Sequence, residues 1–112
     1  EEKKFYEFLK GKFQENGVKL TVNNLDNSIK EFIGIVSLCD KVITTDSLAM
    51  HISIALNKKT TALFYCTPPW EIENYDKVKK ITSKLLEKYF YTDEYIEELV
   101  NSISADEILK EF

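Results

Sequence analysis

The chain has 112 residues and a mass of 13.1 kDa, so a single domain is expected. Hydrophobic residues make up 44% and charged residues 30%, which excludes a wholly disordered chain, and no apolar run approaches the ~20 residues of a membrane span. The net charge is −4 and every one of the 15 cations is lysine. A nucleic-acid module usually presents a basic face, so that class is not expected.

The first predicted element is an amphipathic helix, because aromatic and aliphatic residues recur at helical spacing. The apolar stripe comprises Phe5, Phe8, Leu9 and Phe13. Gly17 is suited to the left-handed cap that ends such a helix. Residues 18–22 then predict a short strand, and residues 23–27 predict a turn.

A second group of elements alternates between helix and strand. Ser28 and Glu31 form an S-x-x-E capping box, which predicts the start of a helix. The β-branched residues 41–45 predict a strand. Residues 47–57 follow as a helix that is apolar on nearly all sides, and residues 60–65 predict the next strand.

The last part of the chain is less regular. Two prolines interrupt residues 66–70, since proline donates no ladder hydrogen bond. Residues 78–82 predict a further short strand, and residues 96–103 carry a helical stripe. A second capping box, Ser104 with Glu107, predicts a closing helix.

Alternating helices and strands with short connections predict an α/β fold, a Rossmann-like open parallel sheet with helices on both faces. Ligands of such sheets bind outside the carboxyl ends of the strands, which directs attention to residues 23–27, 45–47 and 66–70. The chain opens in a helix and carries few strands for an open sheet. We therefore expect it to be a fragment of a longer protein.

The residues after the strand at 41–45 combine several groups that bind anions. Asp46 or Ser47 is placed to cap the following helix, and the N–H groups of Ser47, Leu48 and Ala49 would then lie free at its positive end. His51 lies four positions after Ser47 and shares its helix face. This combination is suited to a phosphate or diphosphate.

Simpler interpretations of the same residues stay open. An aspartate before a helix is most often a helix cap, and a histidine in an apolar helix is most often a satisfied core residue. Asp46 can instead accept a sugar hydroxyl or orient His51. Cys39, Cys66 and one histidine are too few for a zinc site, so no metal is expected, and two buried, reduced thiols predict the cytoplasm.

Residues 45–56 resemble the donor-site motif of glycosyltransferase family 9, the ADP-heptose:lipopolysaccharide heptosyltransferases, which reads approximately D-[ST]-G-x-x-H-[LI]-A-x-A-L. The flanking residues 28–43 and 57–68 are also similar to that family. The resemblance runs from about Ser28 to the end of the chain.

The resemblance implies the C-terminal half of an inverting GT-B glycosyltransferase. Residues 1–112 would be one nucleotide-sugar (donor) binding domain of a two-domain chain. By that analogy Asp46, Ser47, Leu48, Ala49 and His51 line the donor site, with the N–H groups at 47–49 holding the diphosphate, and Thr67 borders the same cleft. The catalytic base would lie in the missing N-terminal domain, so the isolated chain is expected to be inactive.

The implied substrates are a nucleotide-sugar donor, ADP-heptose or similar, and a lipopolysaccharide or other cell-envelope glycan or glycolipid acceptor. No cofactor and no metal is implied, and the expected location is the cytoplasm, at the inner face of the membrane. Two positions depart from the family pattern. Leu48 stands where the family usually has glycine, and Cys66 stands before Thr67 where members often have glycine. A leucine Cβ at residue 48 would crowd the diphosphate or select a different donor.

Two other classes of function remain as alternatives. The first is a non-catalytic flavodoxin-like module of the receiver type, with Asp46 as phosphoacceptor, although the paired acidic residues after a first strand are not visible. The second is a degenerate domain that keeps the fold for scaffolding. Trp70 offers a face for sugar stacking, but we expect it to pin its loop onto the sheet.

Overall fold

The computed structural model describes residues 2–23 and 26–112. Its helices are α1 (Glu2–Glu15), α2 (Ile29–Ser37), α3 (Leu48–Ala55), α4 (Glu97–Val100) and α5 (Ala105–Glu111). Its strands are β1 (Lys41–Thr45), β2 (Lys59–Phe64) and β3 (Val78–Thr82), and a 3-10 turn covers Pro69–Glu71. The strands predicted at 41–45 and 78–82 are therefore confirmed, and the strand predicted at 60–65 lies one residue earlier, at 59–64.

The three strands form one parallel sheet in the order β1-β2-β3. Lys41 is opposite Lys59, and Thr60 is opposite Val78, so all three carboxyl ends lie at one edge. The strand predicted at 18–22 is wrong, since those residues have no regular structure and pair with no described strand. Their β-branched side chains are half exposed, so burial does not favour an extended ladder there.

Local capping explains where the first and third helices end. Gly17 adopts a left-handed φ of 69°, and Val18 N–H donates to Phe13 O at 2.9 Å, which closes α1 in a Schellman motif. Asn57 ends α3 in the same motif, because it adopts a φ of 55° and the Lys58 N–H donates a hydrogen bond to Ser53 O. Asparagine tolerates this conformation better than most residues, so the helix stops before residue 57.

Both predicted capping boxes are present. The hydroxyl of Ser28 accepts from Glu31 N–H, and that of Ser104 accepts from Glu107 N–H. The helix predicted over residues 96–103 is shorter than expected, because only Glu97–Val100 is helical before the chain turns. Its stripe still serves the core, since Leu99 and Ile103 are buried.

Helices cover both faces of the sheet, which confirms the predicted fold class. Met50 of α3 packs in a buried cluster with Ala62 and Phe64 of β2 and with Leu86. Side chains alternate along a strand, so Thr61 points to the opposite face, where it borders a cavity with Phe112 beyond the end of α5. The central strand β2 is therefore buried on both faces.

Helix α1 has the predicted amphipathic pattern, but its stripe is not fully covered. Phe5 and Phe8 are 62% and 60% exposed, while Leu9 and Phe13 are half-buried. Among residues 2–23 and 26–112, no helix is long and apolar enough to cross a membrane.

Candidate functional site

The carboxyl ends of β1 and β2 bring two of the predicted site residues into contact. Asp46 follows β1 directly, and Thr67 lies three residues beyond the end of β2. The Thr67 hydroxyl donates a hydrogen bond to Asp46 Oδ2 at 2.6 Å. Both residues are half-buried, so this bond joins the two loops where a parallel α/β sheet holds its ligands.

Ser47 is the N-cap residue of α3, but it does not cap the helix with its side chain. Its backbone is extended, with φ −155° and ψ 176°, and its hydroxyl shares a 3.0 Å hydrogen bond with the Thr44 hydroxyl. Its carbonyl accepts from the N–H groups of Met50 and His51. The predicted cap position at Ser47 is confirmed, but no side chain caps the helix, because the side chains of Asp46 and Ser47 bond to Thr67 and Thr44 instead.

The first turn of α3 consequently keeps unpaired donors. No described residue accepts a hydrogen bond from the N–H of Leu48 or of Ala49. These two groups lie at the positive end of an eight-residue helix, which attracts anions.

The remaining predicted side chains face solvent to different degrees. His51 is exposed, one turn after Ser47, and its imidazole makes no hydrogen bond to a described residue. The interpretation of His51 as a satisfied core residue is therefore wrong. Leu48 is 56% exposed, so its side chain does not fill a pocket of the described protein, whereas Ala49 is half-buried.

The loop after β2 forms hydrogen bonds with residues that the sequence analysis did not single out. Tyr91 N–H donates to Cys66 O at 2.8 Å, and the Tyr91 hydroxyl donates to Glu71 Oε1. This hydrogen bond raises the pKa of Tyr91 above 10.0, and desolvation and the negative charges of Glu71 and Asp46 act in the same direction.

Trp70 does not pin its loop onto the sheet, which corrects our expectation. It is 67% exposed and stacks on Phe90, with ring centroids 6.0 Å apart. Sequence reasoning missed the participation of Glu71, Phe90 and Tyr91, because each contact joins residues about 20 positions apart across irregular loops. The available sequence signal was the aromatic cluster at 89–91, whereas the left-handed φ of 56° at Tyr91 is visible in the structure alone.

The described residues contain no group of three or more His, Cys, Asp and Glu side chains placed to hold a metal ion. The cysteines are free thiols, as predicted, but they are half-buried rather than buried. The thiol of Cys39 donates to Ile35 O and that of Cys66 to Thr92 O, both at 3.6 Å.

The protein is a parallel α/β domain with polar residues at the carboxyl ends of β1 and β2. The family model of glycosyltransferase family 9 (heptosyltransferase) matches residues 12–95, and the chain belongs to this family. The match includes β1 to β3 and α3, but it ends before α4, so the resemblance expected to reach the end of the chain is confirmed only to residue 95. No curated protein and no solved structure matches the chain. Family membership supports a glycosyltransferase over a receiver module.

Proposed function

We propose that this chain is the donor-binding domain of an inverting, GT-B type glycosyltransferase. It binds a nucleoside-diphosphate sugar, ADP-heptose or similar, whose sugar is transferred to a lipopolysaccharide or other cell-envelope glycan acceptor. The observation that carries the proposal is the Asp46–Thr67 hydrogen bond beside the unpaired N–H groups of α3. Both features lie within the segment that matches the family.

The diphosphate is assigned to the first turn of α3. Backbone N–H groups at residues 47–49 and the positive helix end supply the attraction without arginine, which the chain lacks. His51, exposed on the same helix face as Ser47, reaches the diphosphate or the donor sugar. The helix end then stabilises the negative charge that develops on the leaving diphosphate.

Asp46 and Thr67 are assigned to the sugar or ribose hydroxyls. A carboxylate would repel the diphosphate, but it accepts hydrogen bonds from hydroxyl groups. Asp46 Oδ2 accepts the hydrogen bond from Thr67, and its second oxygen accepts none from a described residue, so it is available to a hydroxyl. Thr67 fixes the direction in which that oxygen points.

The proposal assigns no catalytic base to this chain. The base that deprotonates the acceptor is placed in an N-terminal domain of the same protein, and transfer takes place between the two domains in the cytoplasm, at the inner face of the membrane. No metal or cofactor is assigned. The isolated chain should bind the donor nucleotide and transfer no sugar.

Thermal unfolding in the presence of ADP, UDP, GDP and CDP tests the proposal. A nucleotide at ~100 times its Kd stabilises the folded state by ~2.7 kcal/mol, which raises the Tm by several degrees at this size. We expect one nucleotide to raise the Tm, and Ser47→Ala and His51→Ala to abolish that rise. Ser104→Ala is the matched control, because it removes a capping serine far along the chain and should keep the full ligand-induced shift.

Two results would contradict the proposal. One is a Tm that no nucleotide changes, both in this chain and in a protein that includes the preceding domain. The other is a nucleotide-induced rise that persists in Ser47→Ala and His51→Ala, since the ligand would then bind elsewhere.

A further inference from the structure

Three aromatic side chains form a surface that the proposed function does not use. Trp70 stacks on Phe90 at an interplanar angle of 24°, and Phe90 meets Tyr91 edge to face, with centroids 4.7 Å apart. We call Trp70, Phe90 and Tyr91 the aromatic platform. One face of the Trp70 indole lies against Phe90, and because two thirds of the residue is exposed, no described residue covers its other face.

The platform is held in place from several directions. Tyr91 adopts a left-handed φ of 56°, which a bulky residue rarely does unless its surroundings impose it. Its N–H bonds to Cys66 O and its hydroxyl bonds to Glu71, next to Trp70. Lys80 Nζ donates to the carbonyl of Pro69 at 2.9 Å and fixes the start of the same loop. The aromatic surface is therefore formed before any ligand arrives, which lowers the ordering cost of binding.

An open cavity of about 430 Å³ adjoins the platform. Trp70 lines it together with Glu73, Asn74 and Thr82. Thr82 is the last residue of β3, so the cavity lies at the same sheet edge as Asp46. Its lining combines the Trp70 side chain with carboxylate, amide, hydroxyl and ammonium groups, and the Lys80 ammonium donates to Asn74 Oδ1 at 3.1 Å.

This combination fits a pyranose ring. The axial C–H bonds of such a ring form an apolar face with partial positive charge, which is attracted to the negative face of an aromatic ring. Its hydroxyl groups project around the rim, where a few polar side chains can fix its orientation. A nucleobase also stacks on aromatic rings and hydrogen-bonds to the same polar groups, so the experiment must distinguish a pyranose from a base.

We propose that Trp70, supported by the aromatic platform, binds a pyranose ring of a substrate, with Glu73, Asn74 and Thr82 hydrogen-bonding its hydroxyls. The inference rests on the proposed function, because a glycosyltransferase carries sugars as donor and acceptor. Either substrate supplies the required ring, the sugar of the donor or a residue of the acceptor glycan.

Tryptophan fluorescence gives a local test, since Trp70 is the only tryptophan in the chain. The probes are the methyl glycosides of glucose, mannose and glycero-manno-heptose. We expect at least one to change the emission in a saturable way, and sorbitol, which has hydroxyls but no ring, to leave it unchanged.

Saturation-transfer NMR with the same glycosides extends the test to variants without tryptophan. Trp70→Leu should weaken glycoside binding about tenfold or more, and Trp70→Phe, which keeps an aromatic face, should weaken it much less. Tyr95→Leu is the matched control, because Tyr95 is an exposed aromatic residue outside the platform and its removal should change nothing.

The outcomes of these experiments distinguish the donor sugar from the acceptor glycan as the source of the ring, and the proposed sugar site from the proposed donor site. Displacement of the glycoside by ADP-glucose or ADP-mannose, but not by ADP, assigns the ring to the donor, and retention in the presence of both assigns it to the acceptor. Any of three results would overturn the inference. No glycoside binds in a saturable way, the Trp70→Leu variant binds glycosides as tightly as the original protein, or ADP alone quenches Trp70 fluorescence in a saturable way. If nucleotides still raise the Tm in those cases, the proposed donor site is retained and only the proposed sugar site is refuted. If glycosides bind but nucleotides do not, only the proposed donor site is refuted.

Discussion

The hydrogen bond between Thr67 and Asp46 holds the two loops of the candidate site together, and Thr67→Val removes it with little change in shape. A hydrogen bond to a charged acceptor contributes about 1.5–3 kcal/mol when it is shielded from water. Both residues are half-buried, and the donor–acceptor distance is 2.6 Å, so the lower end of that range applies. We expect the substitution to lower the free energy of unfolding by about 1.5 kcal/mol and the Tm by about 6 °C.

Urea unfolding of a double-mutant cycle checks this value. Thr67→Val, Asp46→Ala and the double variant should give a coupling energy of about 1 kcal/mol, since the second substitution costs less once the bond is gone. Thr45→Val is the matched control, because Thr45 is exposed at the end of β1 and its change should stay within about 0.5 kcal/mol. A coupling energy below about 0.3 kcal/mol would refute the claim that this bond joins the two loops.

Three further predictions concern the core, a titrating group and a helix start. Phe64→Ala should lower the free energy of unfolding measured in urea by about 3–5 kcal/mol, because Phe64 is fully buried. The control Phe8→Ala should change it by less than about 0.5 kcal/mol, because Phe8 is exposed, and equal effects of the two substitutions would contradict the assigned core. Tyr91 should titrate above pH 10.0 in ¹³C NMR and return toward 10.0 in Glu71→Gln. The stability that this raised pKa contributes is present below pH 10.0 and is lost as the pH rises through the folded-state value, and an unchanged titration in Glu71→Gln would show that the hydrogen bond is not the cause. Ser28→Ala should cost about 1 kcal/mol of stability by thermal unfolding, since it removes a capping box, and a neutral result would mean that the box contributes nothing.

Local chemistry explains why most of the fold was predictable. The capping boxes at Ser28 and Ser104 and the left-handed cap at Gly17 each depend on residues within four positions of one another. Short β-branched runs lie between these helices, and alternating helices and strands predict a parallel sheet. The strand expected at 18–22 failed because extended sequence alone does not supply a partner, and no described strand lies beside it.

The candidate site was predictable in position but not in detail. The carboxyl-end rule placed Asp46 and Thr67 at one sheet edge, and the structure brings them into contact. The sequence did not reveal that Ser47 bonds Thr44 rather than its own helix, because both choices satisfy the hydroxyl. The contacts of Tyr91 and Trp70 depend on how two irregular loops pack, and no periodic pattern encodes that packing.

The parallel sheet also determines how this chain can begin to fold. Strand partners in this sheet are separated by about 18 positions, as in the pairs Lys41 with Lys59 and Thr60 with Val78. No two strands of the described sheet can therefore pair through a tight hairpin turn. Each pairing must close a long connection before it gains any ladder hydrogen bond, and the entropy of that closure slows the search. Helix α3 shortens the β1–β2 connection when it forms, so we expect the packing of Met50 against β2 to accompany the pairing of these strands. The segment from β1 to β2, which holds the candidate anion site, is therefore also the segment in which the sheet can nucleate.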